Sequence, residues 1–202
     1  MDTAETALLE IVTEGEGRVE RPGDRAGLTV GFASVAGTRA EAVAALSAQV
    51  GTAPVERAGV TVRRRTLWVR DDWRREEVVG ARASTDLVLR VDDVAALEPL
   101  VSALTAAEPA TLDGPVWELT DPGPARREAQ ALAVADARDR AQGYAAALGG
   151  RLVGPRRLTE APDVHMELHA ASGGGPDVRP LDLRPGPVAV VVRCTVTWTV
   201  EL

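Results

Sequence analysis

The sequence feature that most constrains the fold is an alanine-rich segment, PARREAQALAVADARDRAQGYAAALGG, which runs from Pro124 to Gly150. Five of its residues recur at steps of three and four, which places them on one helical face: Ala133, Ala137, Ala141, Tyr144 and Leu148. A face made mostly of methyl groups is nearly flat and permits close approach to a sheet or another helix. The spacing predicts a long helix over about residues 124–148.

Both ends of this segment carry helix boundary signals. Pro122 and Pro124 suit the first turn, because a helix makes no use of the N–H groups that proline lacks there. Gly149 or Gly150 supplies the left-handed residue that ends a helix. A strand is expected directly afterwards, over about residues 151–160.

The N-terminal part predicts two strands followed by a helix. Apolar alternation indicates strands over residues 7–20 and 25–36, with Pro22-Gly23 as the turn signal between them. Thr38 followed by Glu41 forms a capping box, which predicts that the first helix begins there.

Two long strands are expected next, over about residues 58–70 and 75–91, with a turn near residues 71–73. Their length leaves open whether the hairpin from Arg63 to Arg75 protrudes. Asp92 is the predicted cap of a second helix, and Pro99 implies a kink in it or a late start.

The remaining strands fall around residues 115–120, 151–160 and 187–201, which completes the order ββα-ββα-βα-ββ. Strand pairs followed by single helices predict an α+β fold, mainly antiparallel sheet with helices packed on it. Because no convincing linker divides the chain, we expect a single domain over residues 1–202.

The composition is that of an ordinary globular protein, with 45% hydrophobic and 26% charged residues among 202. All 23 basic residues are arginine and none is lysine, which indicates a GC-rich, bacterial genome rather than selection for arginine chemistry. The net charge of −7 argues against nucleic-acid binding, which needs a positive field. No cofactor is implied.

The arginines at positions 63–65, 70, 74 and 75 form a locally basic stretch. Alternation along a strand divides the triplet between two faces, and Glu76 and Glu77 lie close by in sequence. A solvated hairpin is the favoured interpretation over a basic binding patch.

No membrane span is expected, since no apolar segment reaches 18 residues. The N-terminus carries two acids before residue six and no basic leader, which predicts a cytoplasmic protein. A periplasmic or extracellular location is the alternative if a leader has been removed.

Candidate catalytic and metal-binding residues are few. His165 and His169 have the i,i+4 spacing of a zinc-binding pair on a helix. The segment is followed by a run of glycines, which does not favour a helix, and it offers no third ligand. We therefore expect no metal site, and the order of this histidine loop is left open. Gly15 and Gly17 lack the third glycine of a dinucleotide loop, which favours a bulged or closely approached strand. Cys194, the only cysteine, suits a strand and cannot form an intrachain disulfide.

The four tryptophans supply much of the large-residue packing in a chain with one Phe and one Tyr. Trp68, Trp117 and Trp198 lie in predicted strands and are expected in the core. Trp73 lies between charges at the predicted hairpin tip. It is either an exposed interface anchor or a side chain folded back over its own hairpin.

Four sequence stretches, in this order along the chain, carry a resemblance to a known family: EIVTEGEGRVE, TRAEAVAALSAQV, ALAVADARDRAQGYAAALGGRLVGPRRLTE and PGPVAVVVRCTVTWTVEL. Together they resemble the SIMPL-domain family, from about residue 8 to the C-terminus. The alanine helix with its LGG ending is the most specific of them. The chain departs from the family in lacking the export signal of bacterial members. It also has PGDRA where many members have a Pro-Asp pair.

This resemblance implies an α+β fold with no defining catalytic residues. The family includes bacterial periplasmic and outer-membrane immunogens and a eukaryotic adaptor linked to a signalling kinase. Assembly into large rings has been described for a bacterial member. We therefore expect a non-enzymatic module that self-associates and presents a surface to a protein partner. The alternative is a small-molecule-binding protein with a pocket between sheet and helices.

Overall fold

The computed structural model describes residues 8–161 and 183–202. The strands are β1 (Leu8–Pro22), β2 (Arg25–Ala36), β3 (Val60–Arg74), β4 (Glu77–Val91), β5 (Thr111–Glu118), β6 (Arg151–Glu160) and β7 (Pro187–Glu201). The helices are α1 (Arg39–Thr52), α2 (Leu97–Ala106) and α3 (Gly123–Ala147). The predicted α+β class and element order are confirmed.

The described residues form two compact units, one of which interrupts the other in sequence. The first contains residues 8–21, 121–161 and 187–202, and the second contains residues 22–120 and 183–186. Each unit has its own antiparallel sheet. The single domain over residues 1–202 stays a prediction.

The first unit is a three-stranded sheet with α3 packed on one face. The strand order is β1-β7-β6, so that the C-terminal strand lies between the N-terminal strand and β6. β6 and β7 run antiparallel, from the pair Arg151↔Glu201 to the pair Glu160↔Cys194. Three segments that are far apart in sequence therefore build one small layer.

The backbone of α3 packs directly against the backbone of β1 in this unit. A Cβ atom built on Gly15 would lie 2.0 Å from the carbonyl oxygen of Ala133. One built on Gly17 would lie 1.9 Å from the carbonyl oxygen of Ala129. Only glycine fits either position, because real Cβ contacts below 3.0 Å essentially do not occur. The predicted close approach at these glycines is confirmed.

The buried stripe of α3 repeats at every fourth residue rather than at alternating steps of three and four. Its members are alanines with at most 3% exposure: Ala125, Ala129, Ala133, Ala137, Ala141 and Ala145. The expected continuation through Tyr144 and Leu148 is wrong, since both side chains are exposed. A row at four-residue steps winds gradually around the helix and follows the twist of the sheet beneath it.

Hydrogen bonds fix α3 at the same place. The Thr13 hydroxyl donates to the carbonyl oxygen of Ala137 over 2.7 Å, and Trp198 Nε1 donates to the Thr13 hydroxyl over 2.9 Å. The amide of Glu16 donates to Asp136 Oδ2 over 3.0 Å. This backbone hydrogen bond, followed by the Arg140 guanidinium, holds the pKa of Asp136 below its ordinary value.

The second unit is a four-stranded antiparallel sheet in the order β3-β4-β2-β5. Its core lies between one face of this sheet and the helices α1 and α2. Phe32, Leu87, Leu89, Leu100 and Leu104 are among its fully buried side chains. The core is centred on β2 and β4, and most of β3 is left outside it.

Local sequence signals decide the helix boundaries of this unit. Thr38 and Glu41 form the predicted capping box of α1. Asp93, not the expected Asp92, accepts the capping hydrogen bond, from the amide of Ala95. The short 3-10 turn Val94–Ala96 that it caps precedes α2, which begins at Leu97, so that Pro99 lies in the first turn. Of the two alternatives for this proline, the late start is correct.

We predict that Gly15→Ala and Gly17→Ala each lower the free energy of unfolding by about 3 kcal/mol or more, or prevent folding, because the added methyl group pushes two backbones apart. Gly143→Ala is the matched control on α3. No atom lies within 4 Å of its built Cβ, and alanine in a helix interior should add about 1 kcal/mol. Urea unfolding followed by circular dichroism measures all three. Equal stabilities would contradict the close packing.

Asp136→Asn should lower the stability at neutral pH and make little difference in strong acid. The folded-state pKa of Asp136 lies below its ordinary value of 3.8, so its contribution is present above that value and disappears as the pH falls through the lowered pKa. Asp139→Asn is the control on the same helix. Unfolding curves at several pH values below neutral test this, and a pH-independent difference between the two variants would refute it.

Candidate interaction surface

The strand β3 lies at an edge of the four-stranded sheet in the described part of the chain. It pairs with β4 throughout its length, with two register shifts. Arg63 is an extra residue on β3, and Val79 is an extra residue on β4. Between these irregularities, residues 64–72 form an uninterrupted run opposite residues 80–88. The outer backbone groups of this run are therefore arranged as a regular edge.

The far end of the β3–β4 hairpin extends beyond the third strand. Pairing between β2 and β4 ends at Ala36↔Ala81, whereas β3 and β4 remain paired as far as Arg74↔Glu77. The expectation left open for the hairpin from Arg63 to Arg75 is thus resolved: its end is a two-stranded ribbon.

The base of the ribbon is tied to the first turn of α1. Arg39 Nη2 lies 2.8 Å from Asp71 Oδ2. The hydrogen bond from this guanidinium lowers the pKa of Asp71, and the carboxylate in turn raises the pKa of Arg39. Because both groups are accessible to solvent, this ion pair positions the hairpin more than it stabilises the fold.

The turn of the hairpin is at Arg75 and Glu76, not near residues 71–73 as expected. The polar residues Asp71 and Asp72 suggested a turn, but both continue the strand and pair with Ala81 and Gly80. The two turn residues have φ values of 50° and 78°. Positive φ at both positions is typical of a tight hairpin turn, which normally uses asparagine and glycine.

The hairpin carries six exposed apolar side chains: Leu67, Trp68, Val69, Trp73, Val78 and Val79. We call this set the hairpin patch. Trp73 is 62% exposed and is not folded back over its own hairpin. Trp68 is 50% exposed, so its predicted place in the core is wrong. Trp68 does lie in a strand, as predicted, but that strand is at an edge of the sheet, where the side chain stays accessible.

The hairpin patch covers both faces of β3. Leu67 lies opposite Thr85, which is buried on the helix-covered face, whereas Trp68 lies opposite Ser84 on the other face. Residues directly opposite in an antiparallel pair point to the same side. Apolar groups therefore flank the edge from above and below, as they would in the interior of a continued sheet.

The other tryptophans and the cysteine behave as structural residues. Trp198 is buried beneath α3, and Trp117 is partly buried against the core of the second unit. Cys194 is a buried free thiol, and desolvation raises its pKa. That shift opposes thiolate formation and reactivity. His165 and His169 lie outside the described residues.

Two depressions in the first unit are small. One of about 250 Å³ lies between α3 and β6, and another of about 240 Å³ lies beside β1 and β7. Pockets for drug-sized ligands usually occupy about 300–1,000 Å³. The small-molecule pocket between sheet and helices stays a prediction.

The model of one protein family matches the chain. That family is SIMPL, described as a protein of unknown function (DUF541), and the match covers residues 11–198. No curated protein matches the chain. Across residues 8–161 and 183–202, none of the helices is both long enough and apolar enough to cross a membrane.

Replacing Arg75-Glu76 with Asn-Gly should raise the free energy of unfolding by about 1 kcal/mol, because the left-handed backbone is less strained for these residues. The same replacement at the exposed pair Glu56-Arg57, where φ is not positive, is the control and should be neutral or destabilising. Chemical denaturation compares the two. A loss of stability in the turn variant would contradict the geometry of the turn.

Proposed function

The chain belongs to the SIMPL family, and we propose that it is a non-enzymatic interaction module that self-associates through the hairpin patch. The observation that carries the proposal is a regular edge that no described strand pairs with, together with exposed apolar side chains on both of its faces. This combination is unfavourable in an isolated molecule. It becomes favourable when another strand covers the edge.

The physical cost of leaving this edge uncovered supports the proposal. Proteins that remain monomeric usually shorten, cover or charge their edge strands, since an exposed apolar edge pairs with other chains. Here β3 is 15 residues long and carries charged residues on either side of the centre of its uninterrupted run, but that centre is the apolar sequence Leu67-Trp68-Val69. Burying large side chains of this kind is the main source of association free energy.

The composition around the hairpin patch also favours a protein partner. Tryptophan and arginine are the residues most enriched among those that dominate binding energy, and interface cores are commonly surrounded by a polar rim. Trp73 is followed directly by Arg74 and Arg75 in the strand and turn. The hairpin patch thus combines aromatic anchors with a charged periphery.

Sedimentation velocity over a concentration series tests the proposal. We expect the wild-type chain to associate at micromolar concentrations, and we expect Trp68→Ala and Trp73→Ala to weaken association by about tenfold or more. Both side chains are half or more exposed, so the stability of the monomer should change by less than about 0.5 kcal/mol.

Tyr144→Ala and Leu132→Ala remove exposed large side chains from α3 and are the matched controls. They should leave association unchanged. A wild-type chain that stays monomeric up to about 100 µM would contradict the proposal. Equal weakening by the α3 variants would locate the interface elsewhere.

A further inference from the structure

We propose that the strand that covers β3 is the β3 strand of a second copy, paired antiparallel about a two-fold axis at Trp68. This inference rests on the proposed function, because it specifies how self-association through the hairpin patch occurs. It joins two four-stranded sheets into one continuous sheet. The geometry and the charges of β3 support it independently of each other.

The first support is the symmetry of the uninterrupted run. Residues 64–72 are free of register shifts, and Trp68 is at their midpoint. Arg63, the extra residue of β3, lies directly before this run. Val79, the extra residue of β4, lies at the register shift directly after the run. A two-fold axis at Trp68 therefore pairs the whole regular run with itself and leaves both irregularities outside.

The second support is the match of charges in this register. An axis at Trp68 places Arg64 opposite Asp72 of the second copy, and Arg65 opposite Asp71 of the second copy. Symmetry repeats both pairs, so four unlike-charge pairs flank the centre. Opposite charges directly across an antiparallel ladder stabilise it, whereas like charges destabilise it.

The same register also places the apolar residues of the two copies opposite one another. Leu67 lies opposite Val69 of the second copy, and Trp68 meets its own symmetry mate. Opposite residues in every pair are an even number of positions apart, so they share a face of the continued sheet. The pairing buries the centre of the hairpin patch and keeps the charged pairs toward its rim.

Neighbouring registers of the same symmetry are disfavoured by like charges. An axis at Leu67 would place Arg64 opposite Arg70 of the second copy. An axis at Val69 would place Arg64 opposite Arg74 of the second copy. Each clash occurs twice by symmetry, so the charge pattern selects the axis at Trp68 over both alternatives.

In the described part of the chain, three of the four charged side chains in this register hold no other partner and can pair with the second copy. Within the described residues, the side chains of Arg64, Arg65 and Asp72 make no hydrogen bond or ion pair. Asp71 is bound by Arg39 and would accept Arg65 of the second copy as an additional partner. Two arginines of the predicted solvated hairpin, Arg64 and Arg65, thus have charged partners in the proposed dimer and none among the described residues of a single copy.

Charge reversal on the full chain tests the register. Arg64→Asp places two acids opposite each other, and Asp72→Arg places two arginines opposite each other, so each variant should dimerise about tenfold or more weakly. The double variant Arg64→Asp/Asp72→Arg exchanges the charges and should recover most of the wild-type affinity. An equimolar mixture of the two single variants should form heterodimers in which both charge pairs are restored.

Arg70→Asp is the matched control, because it reverses a charge on the same strand and face, opposite the neutral Thr66 of the second copy. It should leave the dimer intact. Sedimentation velocity measures all variants, and circular dichroism verifies their folding.

The outcomes separate this inference from the proposed function. If the wild-type chain associates but Arg64→Asp and Asp72→Arg do not weaken it, or if the double variant is not restored, the axis at Trp68 is wrong and self-association stands. If the wild-type chain is monomeric, the proposed function fails and this inference fails with it.

Discussion

The contact that the first unit depends on is the one between the backbone of α3 and the two glycines of β1. Gly15 and Gly17 have no side chain, so the carbonyl oxygens of Ala129 and Ala133 reach the strand directly. Every buried position of α3 is alanine for the same reason, because any larger residue would hold the helix away. The hydrogen bond from Thr13 to α3 is possible only at this separation. Segments more than 100 residues apart are joined in this way.

This closely packed unit and the second unit differ in what they leave exposed. The open face of the three-stranded sheet carries cross-strand ion pairs such as Arg193–Glu16 and Arg156–Glu10, which suit a solvated surface. The second unit buries β2 and β4 beneath its helices but leaves β3 at an edge with apolar groups on both sides. This difference in exposed side chains is the reason that the proposed association involves the hairpin and not the alanine helix.

Local signals in the sequence predicted most helices and strands, because capping boxes, helix-ending glycines and the alternation of apolar and polar residues act over a few residues. Gly149 ends α3 with a φ of 73°, as its position indicated.

Contacts between distant segments were harder to predict. Tyr144 fits a helical stripe as well as Ala145 does, and only the sheet beneath α3 decides between them. Trp68 lies in a predicted strand just as the buried Trp198 does, and its exposure follows from β3 being at an edge, which no local pattern encodes. Trp73 was a candidate from the sequence alone, but the exposure of the other residues of the hairpin patch depends on the order of the strands.

Amide hydrogen exchange, measured at protein concentrations below and above association, tests the role of β3 most directly. The outward-facing amides in residues 64–72 have no partner within the described residues and should exchange rapidly in the monomer. In the associated form, hydrogen bonds to a second copy should slow their exchange, while α3 and β6 remain unchanged. Slowed exchange confined to α3 or β6, with β3 unaffected, would contradict the account.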